Sequence, residues 1–227
     1  MSVPSSRAGQ QAVQWLVIIA LAAILTAWKS AWRWVKCRQR RRAAQALGFQ
    51  YVGDAVSASP EPEFQPIAFK GDPDFFSLMR RQEGRLSAYM FDLEFDKNAS
   101  AEWPVRPRGL RGALSGSIEL VAALFKDPDA ALPIFMLVPS RVEDAKRVGI
   151  DLPFLEGYAL LADDKAAAAD LFLTMPSDLL SLQKGWIVEG GGRWIVMCRR
   201  KGDVRGDMKA FFETAQRSAK ALFGQRR

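Results

Sequence analysis

The 227-residue chain contains no histidine and only two cysteines, and these absences exclude several kinds of chemistry. Without histidine there can be no Ser-His or Cys-His catalytic pair, and the commonest general base and metal ligand of proteins are missing. Cys37 and Cys198 are too few for a disulfide framework or a thiolate-rich zinc site. The sequence predicts no cofactor. It also contains no nucleophile motif, so the patterns lean against an enzyme without deciding the question.

The charge is unevenly distributed along the chain. The net charge of +7 and pI of about 9.6 are typical of a nucleic-acid binder. However, residues 43–192 hold 14 basic and 22 acidic residues, whereas residues 29–42 hold seven basic residues and no acidic one. Residues 193–227 hold 10 basic and 3 acidic residues. Because nucleic-acid binding needs a basic face on the folded domain, we predict no nucleic-acid partner.

Residues 12–28 form the longest apolar run, AVQWLVIIALAAILTAW, in which only Gln14 and Thr26 are polar. Such a helix is about 25 Å long, close to the roughly 30 Å of bilayer hydrocarbon. The pattern predicts a transmembrane helix at 12–28, preceded by a short extracytoplasmic tail at 1–11. A cleaved signal peptide and a buried soluble helix are the alternatives. A signal peptide carries its basic residues before the apolar run, and here they follow it.

Tryptophan and basic residues bracket this run and predict where it meets the membrane surface. The predicted membrane-interface residues are Trp15, Trp28, Lys29, Trp32, Arg33, Trp34, Lys36, Arg38, Arg40, Arg41 and Arg42. Basic residues stay on the cytoplasmic side, so we expect the N-terminus outside and the remaining domain in the cytoplasm, at a bacterial inner membrane. The helix should continue as a basic stalk over residues 29–48, in contact with anionic lipid headgroups. Gly48 should end it.

Residues 49–227 predict one soluble α+β domain with a mainly antiparallel sheet and a few helices. Strands are expected at 75–82, 85–95, 118–125, 132–138, 154–161, 186–189 and 193–199, with turns at Glu83-Gly84 and Gly190–Gly192. Helices are expected at 141–148, 164–173, 174–183 and 203–223, the last on its apolar spacing. Residues 51–66 predict a linker or irregular entry, and residues 96–117 a long loop.

Three carboxylates alternate along the second of these strands. Asp92, Glu94 and Asp96 share one strand face and are a weak candidate for a hard-cation site. The favoured interpretation is a solvated strand face opposite the aromatic face of Tyr89 and Phe91, so we predict no metal.

Five segments carry a resemblance to a known group of proteins. They are RRAAQALGFQY, FFSLMRRQEGRLSAYMFDLEF, LPIFMLVPS, LPFLEGYALLADD and WIVEGGGRWIVM. Over about residues 40–198 the chain resembles a family of bacterial single-pass membrane-anchored proteins of unknown function. The resemblance implies a bacterial cytoplasmic-membrane location. It brings no activity and no catalytic residues, because the shared motifs are core and turn residues.

The leading functional hypothesis is a membrane-tethered protein-interaction or scaffold domain with a protein partner that the sequence does not identify. One alternative is an accessory subunit of a larger membrane complex, for which Ala20, Ala23 and Ala27 would allow close helix packing. The other is a membrane-bound enzyme that uses the carboxylates Asp92, Glu94 and Asp96.

Overall fold

The computed structural model describes residues 7–56, 74–96, 117–139, 158–173, 185–200, 204 and 207–224. The helices are α1 (Arg7–Ala46), α2 (Lys165–Leu173) and α3 (Met208–Gly224). The strands are β1 (Gln50–Val56), β2 (Asp74–Glu83), β3 (Leu86–Asp96), β4 (Ser117–Lys126), β5 (Leu132–Pro139), β6 (Tyr158–Ala162), β7 (Ile187–Gly192) and β8 (Trp194–Arg200). The predicted α+β class with a mainly antiparallel sheet is therefore confirmed.

Two compact units divide the chain, one ending at Arg42 and the other beginning at Ala43. Helix α1 contains the predicted apolar and basic segments in one continuous helix. Within the part of the chain that the structure describes, no helix combines the length and apolarity needed to cross a membrane. The predicted span at 12–28 is thus helical but is not supported as a crossing.

All eight strands of the second unit form one sheet in the order β1-β2-β3-β4-β8-β7-β5-β6, and every neighbouring pair is antiparallel. Hairpins β2–β3 and β7–β8 are closed by the turns Gly84–Arg85 and Gly192–Arg193. Gly84 and Gly192 have φ of +59° and +56°, a conformation that glycine adopts without a steric penalty. The second turn therefore lies later than predicted, and Gly190 and Gly191 are strand residues.

The helices α2 and α3 and the last turn of α1 pack in the larger of two hydrophobic clusters. It contains Met90, Val121, Ala123, Phe125, Phe135, Leu137, Val188, Ile195 and Met197 from the strands, with Ala44, Phe172, Phe211, Phe212, Ala219 and Leu222 from the helices. Asp164 and Asp207 cap the two later helices by accepting hydrogen bonds from Ala167 N–H at 3.0 Å and Ala210 N–H at 2.8 Å. The last helix begins at Met208, five residues after the predicted start.

A second cluster is built from the alternate residues of the same strands. It contains Phe75, Leu78, Tyr89, Phe91, Leu93, Leu120, Ala122, Leu124, Val138, Ile187, Val196 and Cys198. Successive side chains of a strand point to opposite faces, so both faces of the sheet carry apolar residues. The strands accordingly contain more continuous apolar sequence than a sheet with one solvated face would.

Strand β1 corrects the prediction of a linker over residues 51–66. Residues 50–56 pair antiparallel with β2, with a register shift between Tyr51 and Gly53. The prolines that indicated a linker begin only at Pro60, after the strand, and β1 lies at the sheet edge, where polar residues are tolerated. Residues 57–66, the predicted loop residues 97–116 and the predicted helices at 141–148 and 174–183 lie outside the described residues.

Candidate functional site

Helix α1 displays its apolar residues to the surroundings. Every large apolar side chain from Val13 to Trp28 is between 53% and 69% exposed. These residues are Val13, Trp15, Leu16, Val17, Ile18, Ile19, Leu21, Ile24, Leu25 and Trp28. At about 100° per residue they surround the helix instead of forming one stripe. Exposed apolar surface of this extent is typical of a segment that contacts lipid or another protein.

The one hydroxyl in this segment is internally satisfied. Thr26 Oγ1 is 2.9 Å from both the Ala22 and the Ala23 carbonyl oxygens of the preceding turn. Such a bond lets threonine enter an apolar medium without leaving its donor unpaired. The apolar segment is therefore compatible with hydrocarbon at this position.

The predicted membrane-interface residues lie within this segment or follow it on the same helix. Trp15, Trp28 and Trp34 are exposed, as are Arg38, Arg41 and Arg42. The Arg38 guanidinium lies 5.2 Å from the centre of the Trp34 ring, a cation–π geometry. The side chains of Lys29, Trp32, Arg33, Lys36 and Arg40 lie outside the described residues.

A second constellation lies at one end of the sheet and was not predicted. Trp186 is 1% exposed, and its ring stacks on Phe211 of α3, with centroids 5.0 Å apart and planes inclined by 6°. The Arg199 guanidinium lies 5.4 Å from the centre of the Trp186 ring. The backbone N–H of Trp186 donates to the Tyr158 hydroxyl oxygen at 3.2 Å. Burial raises the pKa of Tyr158, so the hydroxyl is protonated at neutral pH.

The predicted carboxylate set falls in a different environment from the one expected. Asp92 is 7% exposed, because β3 lies inside the sheet and Asp92 shares the face of Met90, against which helices pack. The expected solvated face is therefore wrong at this residue. The register Asp92–Val121–Arg199 places Asp92 and Arg199 on the same face with one strand between them.

No group of three metal-ligating side chains occurs among the described residues. Asp92 and Glu94 are described, but the side chain of Asp96 is not. The prediction of no metal therefore stays a prediction, and the three carboxylates stay the weak candidate that the sequence offers.

Charged side chains at the opposite end of the sheet hold turns together. Glu83 accepts hydrogen bonds from Lys220 Nζ at 2.8 Å and Gln216 Nε2 at 2.6 Å, which attaches the β2–β3 hairpin to α3. Arg85 contacts Asp127 at 3.2 Å and Asp129 at 2.6 Å, which joins that hairpin to the β4–β5 turn. The Lys220 hydrogen bond is the main reason that the pKa of Glu83 is lowered. These contacts give the charged residues a structural role.

Local sequence carried no signal for the constellation of Tyr158, Trp186 and Arg199. Its members come from three strands or their ends, and only the strand order β8-β7-β5-β6 brings them to one end of the sheet. An arginine at the end of a strand and a tryptophan after a glycine are individually unremarkable. A periodicity argument therefore could not have found them.

Comparison with known proteins gives a fold relationship. No protein-family model and no curated protein matches the chain. The crystal structure of the mycobacterial trehalose monomycolate transport factor A, TtfA, is similar to this chain with a TM-score of 0.56. The match covers 83% of this chain and 92% of that chain at 10% sequence identity. At that identity the similarity concerns the fold.

Proposed function

We propose that this protein is a membrane-attached accessory protein, held at the bacterial inner membrane by α1, whose folded domain binds a protein partner. The observation that carries the proposal is the continuous exposed apolar surface of α1 from Val13 to Trp28. Removing such surface from water contributes about 25 cal/mol per Å², so an apolar surrounding is strongly favoured. Anionic headgroups are the proposed contacts of the basic residues that follow.

Two further observations support this class of function. The fold is similar to that of a protein titled a transport factor, which favours a role in assisting a membrane process. In addition, the charged residues Glu83, Arg85 and Asp127 are engaged in holding turns together, which accounts for them without catalysis. The proposal thus combines two hypotheses from the sequence, a protein-interaction domain and an accessory subunit of a membrane complex.

Membrane attachment is tested by fractionating cells that express the full chain. We expect the wild-type protein to remain in the pellet when membranes are washed at alkaline pH. The double variant Ile18→Glu/Ile24→Glu should appear in the supernatant, because both substitutions place charge in the apolar segment. Leu173→Glu is the matched control, since Leu173 is an equally exposed apolar residue of the folded domain. A wild-type protein found in the soluble fraction overturns the proposal.

The finer form of the proposal is a crossing helix with its N-terminus outside. Lys29 can extend its amine towards the headgroups, and Ala31 and Trp32 lengthen the apolar run. The test uses a Cys37→Ser background with one new cysteine, either Ser2→Cys or Lys209→Cys. A membrane-impermeant maleimide should label the first in intact spheroplasts and the second only after permeabilisation. Equal labelling of both before permeabilisation would exclude a crossing and favour a helix on the membrane surface.

A further inference from the structure

The indole N–H of Trp186 is a buried donor without an acceptor. The side chain is 1% exposed, and within the described residues Nε1 has no hydrogen-bond partner. A buried donor left unpaired is destabilising, so native structures rarely keep one without a reason. The stack on Phe211 fixes the ring and therefore also the direction of this donor.

The guanidinium of Arg199 also contains a buried donor without an acceptor. Its Nε is buried, and no described residue accepts a hydrogen bond from that atom. Its described contact is the face of the Trp186 ring, which attracts a cation but does not neutralise it. Arginine presents N–H donors in a planar fork that matches the oxygens of carboxylate and phosphate groups.

The strand register brings the two donors together. Ile187 lies opposite Cys198, and the residues next to this pair are Trp186, just before β7, and Arg199 of β8, whose guanidinium lies 5.4 Å from the centre of the Trp186 ring. Trp186 directly precedes β7, Arg199 is the second-last residue of β8, and Arg199 as a whole is only partly buried. The partly exposed portion of Arg199 is the side from which an oxygen ligand would approach. The Tyr158 hydroxyl oxygen accepts a hydrogen bond from the backbone N–H of Trp186 and so holds that residue in position.

We propose that Arg199 and Trp186 form a binding site for an anionic oxygen group, a phosphate or a carboxylate. The group would receive hydrogen bonds from the Arg199 guanidinium and from the Trp186 indole N–H, and its charge would neutralise Arg199. Phe211 holds the indole and Tyr158 is a positioning residue. This site is independent of membrane attachment by α1, and it gives the folded domain a chemically defined ligand.

The test observes the donor itself. The full chain, labelled with ¹⁵N and held in neutral detergent micelles, is titrated with inorganic phosphate, with acetate or with dihexanoyl phosphatidylglycerol at constant ionic strength. Chloride replaces the ligand in the reference titration. The Trp186 indole N–H resonance is assigned by its contacts with Phe211 ring protons and by its absence from Trp186→Phe, so the assignment survives if that variant does not fold.

We expect the Trp186 indole resonance to move downfield and to saturate with at least one of the three ligands. Arg199→Gln should weaken that binding about tenfold or more, the usual effect of losing a charge-assisted hydrogen bond. Arg193→Gln, which removes an exposed arginine of the same hairpin, should leave it unchanged. Saturation by phosphate or acetate identifies a soluble anion as a sufficient ligand, whereas saturation by the lipid alone identifies a headgroup.

Three results would overturn the site. The resonance does not move with any ligand, all indole resonances move together in proportion to added salt, or Arg199→Gln binds as tightly as the wild type. None of these results bears on the fractionation experiment, because the Ile18 and Ile24 variants leave Arg199 and Trp186 intact. Failure of the binding site and failure of membrane attachment are therefore distinguishable.

Discussion

The rings of Trp186 and Phe211 lie parallel, 5.0 Å between centroids, and so join the start of β7 to the first turn of α3. Both side chains are buried, at 1% and 4% exposure. The stack has two consequences, since it anchors the C-terminal helix on the sheet and it immobilises the indole of the proposed anion site.

Phe211→Ala should destabilise the domain by about 3–5 kcal/mol, because it removes a buried ring and leaves a cavity beneath Trp186. Phe211→Leu should cost less, since most of the volume stays and only the aromatic contact is lost. Denaturant unfolding followed by tryptophan fluorescence measures both. Lys209→Ala, on the exposed side of the same helix, is the control. Equal stability of Phe211→Ala and Lys209→Ala would contradict the anchoring role.

Gly190→Ala should destabilise the sheet by about 1–3 kcal/mol through overpacking. A Cβ at this position would lie 2.6 Å from Phe135 Cε1, and the ring cannot retreat because it packs edge-on against Phe172 at 5.2 Å. Gly224→Ala, where a Cβ meets nothing within 4 Å, is the control. Thermal unfolding of the single variants and of Gly190→Ala/Phe135→Leu measures the coupling. The smaller leucine should recover part of the loss, and its failure to do so would refute a clash with this ring.

Glu83 should make stability depend on pH in the acidic range. Its folded-state pKa lies below the ordinary value of 4.5, chiefly because Lys220 donates a hydrogen bond to it. The stabilisation is therefore present above the unfolded pKa and is lost as the pH falls through the lowered folded pKa. The side chain is 37% exposed, so solvent screening limits the effect to about 0.5–1 kcal/mol.

The measurement compares Glu83→Gln with the wild type in urea unfolding at about pH 7 and about pH 3. The wild type should be the more stable at the higher pH, and the difference should shrink at the lower one, where Glu83 becomes protonated. Glu213→Gln removes the exposed helix pair with Lys209 at 3.8 Å and is the control. A difference that persists unchanged at the lower pH would show that the Glu83 charge is not responsible.

Cys198 should be inert towards thiol reagents in the folded protein. It is 0% exposed, and burial followed by the nearby Glu189 carboxylate raises its pKa well above the ordinary value. The thiolate is the reactive form, so both access and ionisation oppose reaction. In a Cys37→Ser background, maleimide should label nothing under native conditions and one thiol per chain in denaturant. Native labelling at a rate close to that of a small free thiol would contradict the buried position.

The basic residues after the apolar run should bind anionic membranes. Arg38, Arg41 and Arg42 are exposed, and each arginine near an anionic surface contributes about 1 kcal/mol. Replacing all three by glutamine should weaken binding to phosphatidylglycerol-containing vesicles and leave binding to pure phosphatidylcholine vesicles unchanged. Vesicle flotation at low and high salt measures this. If the triple variant lost binding to both kinds of vesicle, the substitutions would have disturbed the fold, and the lost positive charge would not be the cause.

By itself, the sequence determined the local features of this protein. Strand patterning and turn residues predicted β2 to β5, and helical apolar spacing predicted the last helix, because these patterns follow from backbone geometry. The apolar run predicted the long N-terminal helix, and the alanine-rich sequence predicted the helix at 164–173. Composition also located the positive charge on α1 and in the C-terminal segment. Strand β1 was missed because an edge strand needs little apolar alternation, and the prolines beyond it suggested a linker.

Only the tertiary structure decided which residues meet. Placing β8 between β4 and β7 puts Arg199 in the same row as Asp92, which lies far from it in sequence. The same placement puts Arg199 beside Trp186, although no sequence motif links the two residues. Burial of Asp92 likewise depended on β3 being an interior strand under helices. Strand order and register are set by long-range packing, which alternation along one strand does not encode. The candidate anion site follows entirely from strand order and register, and not from local sequence patterns.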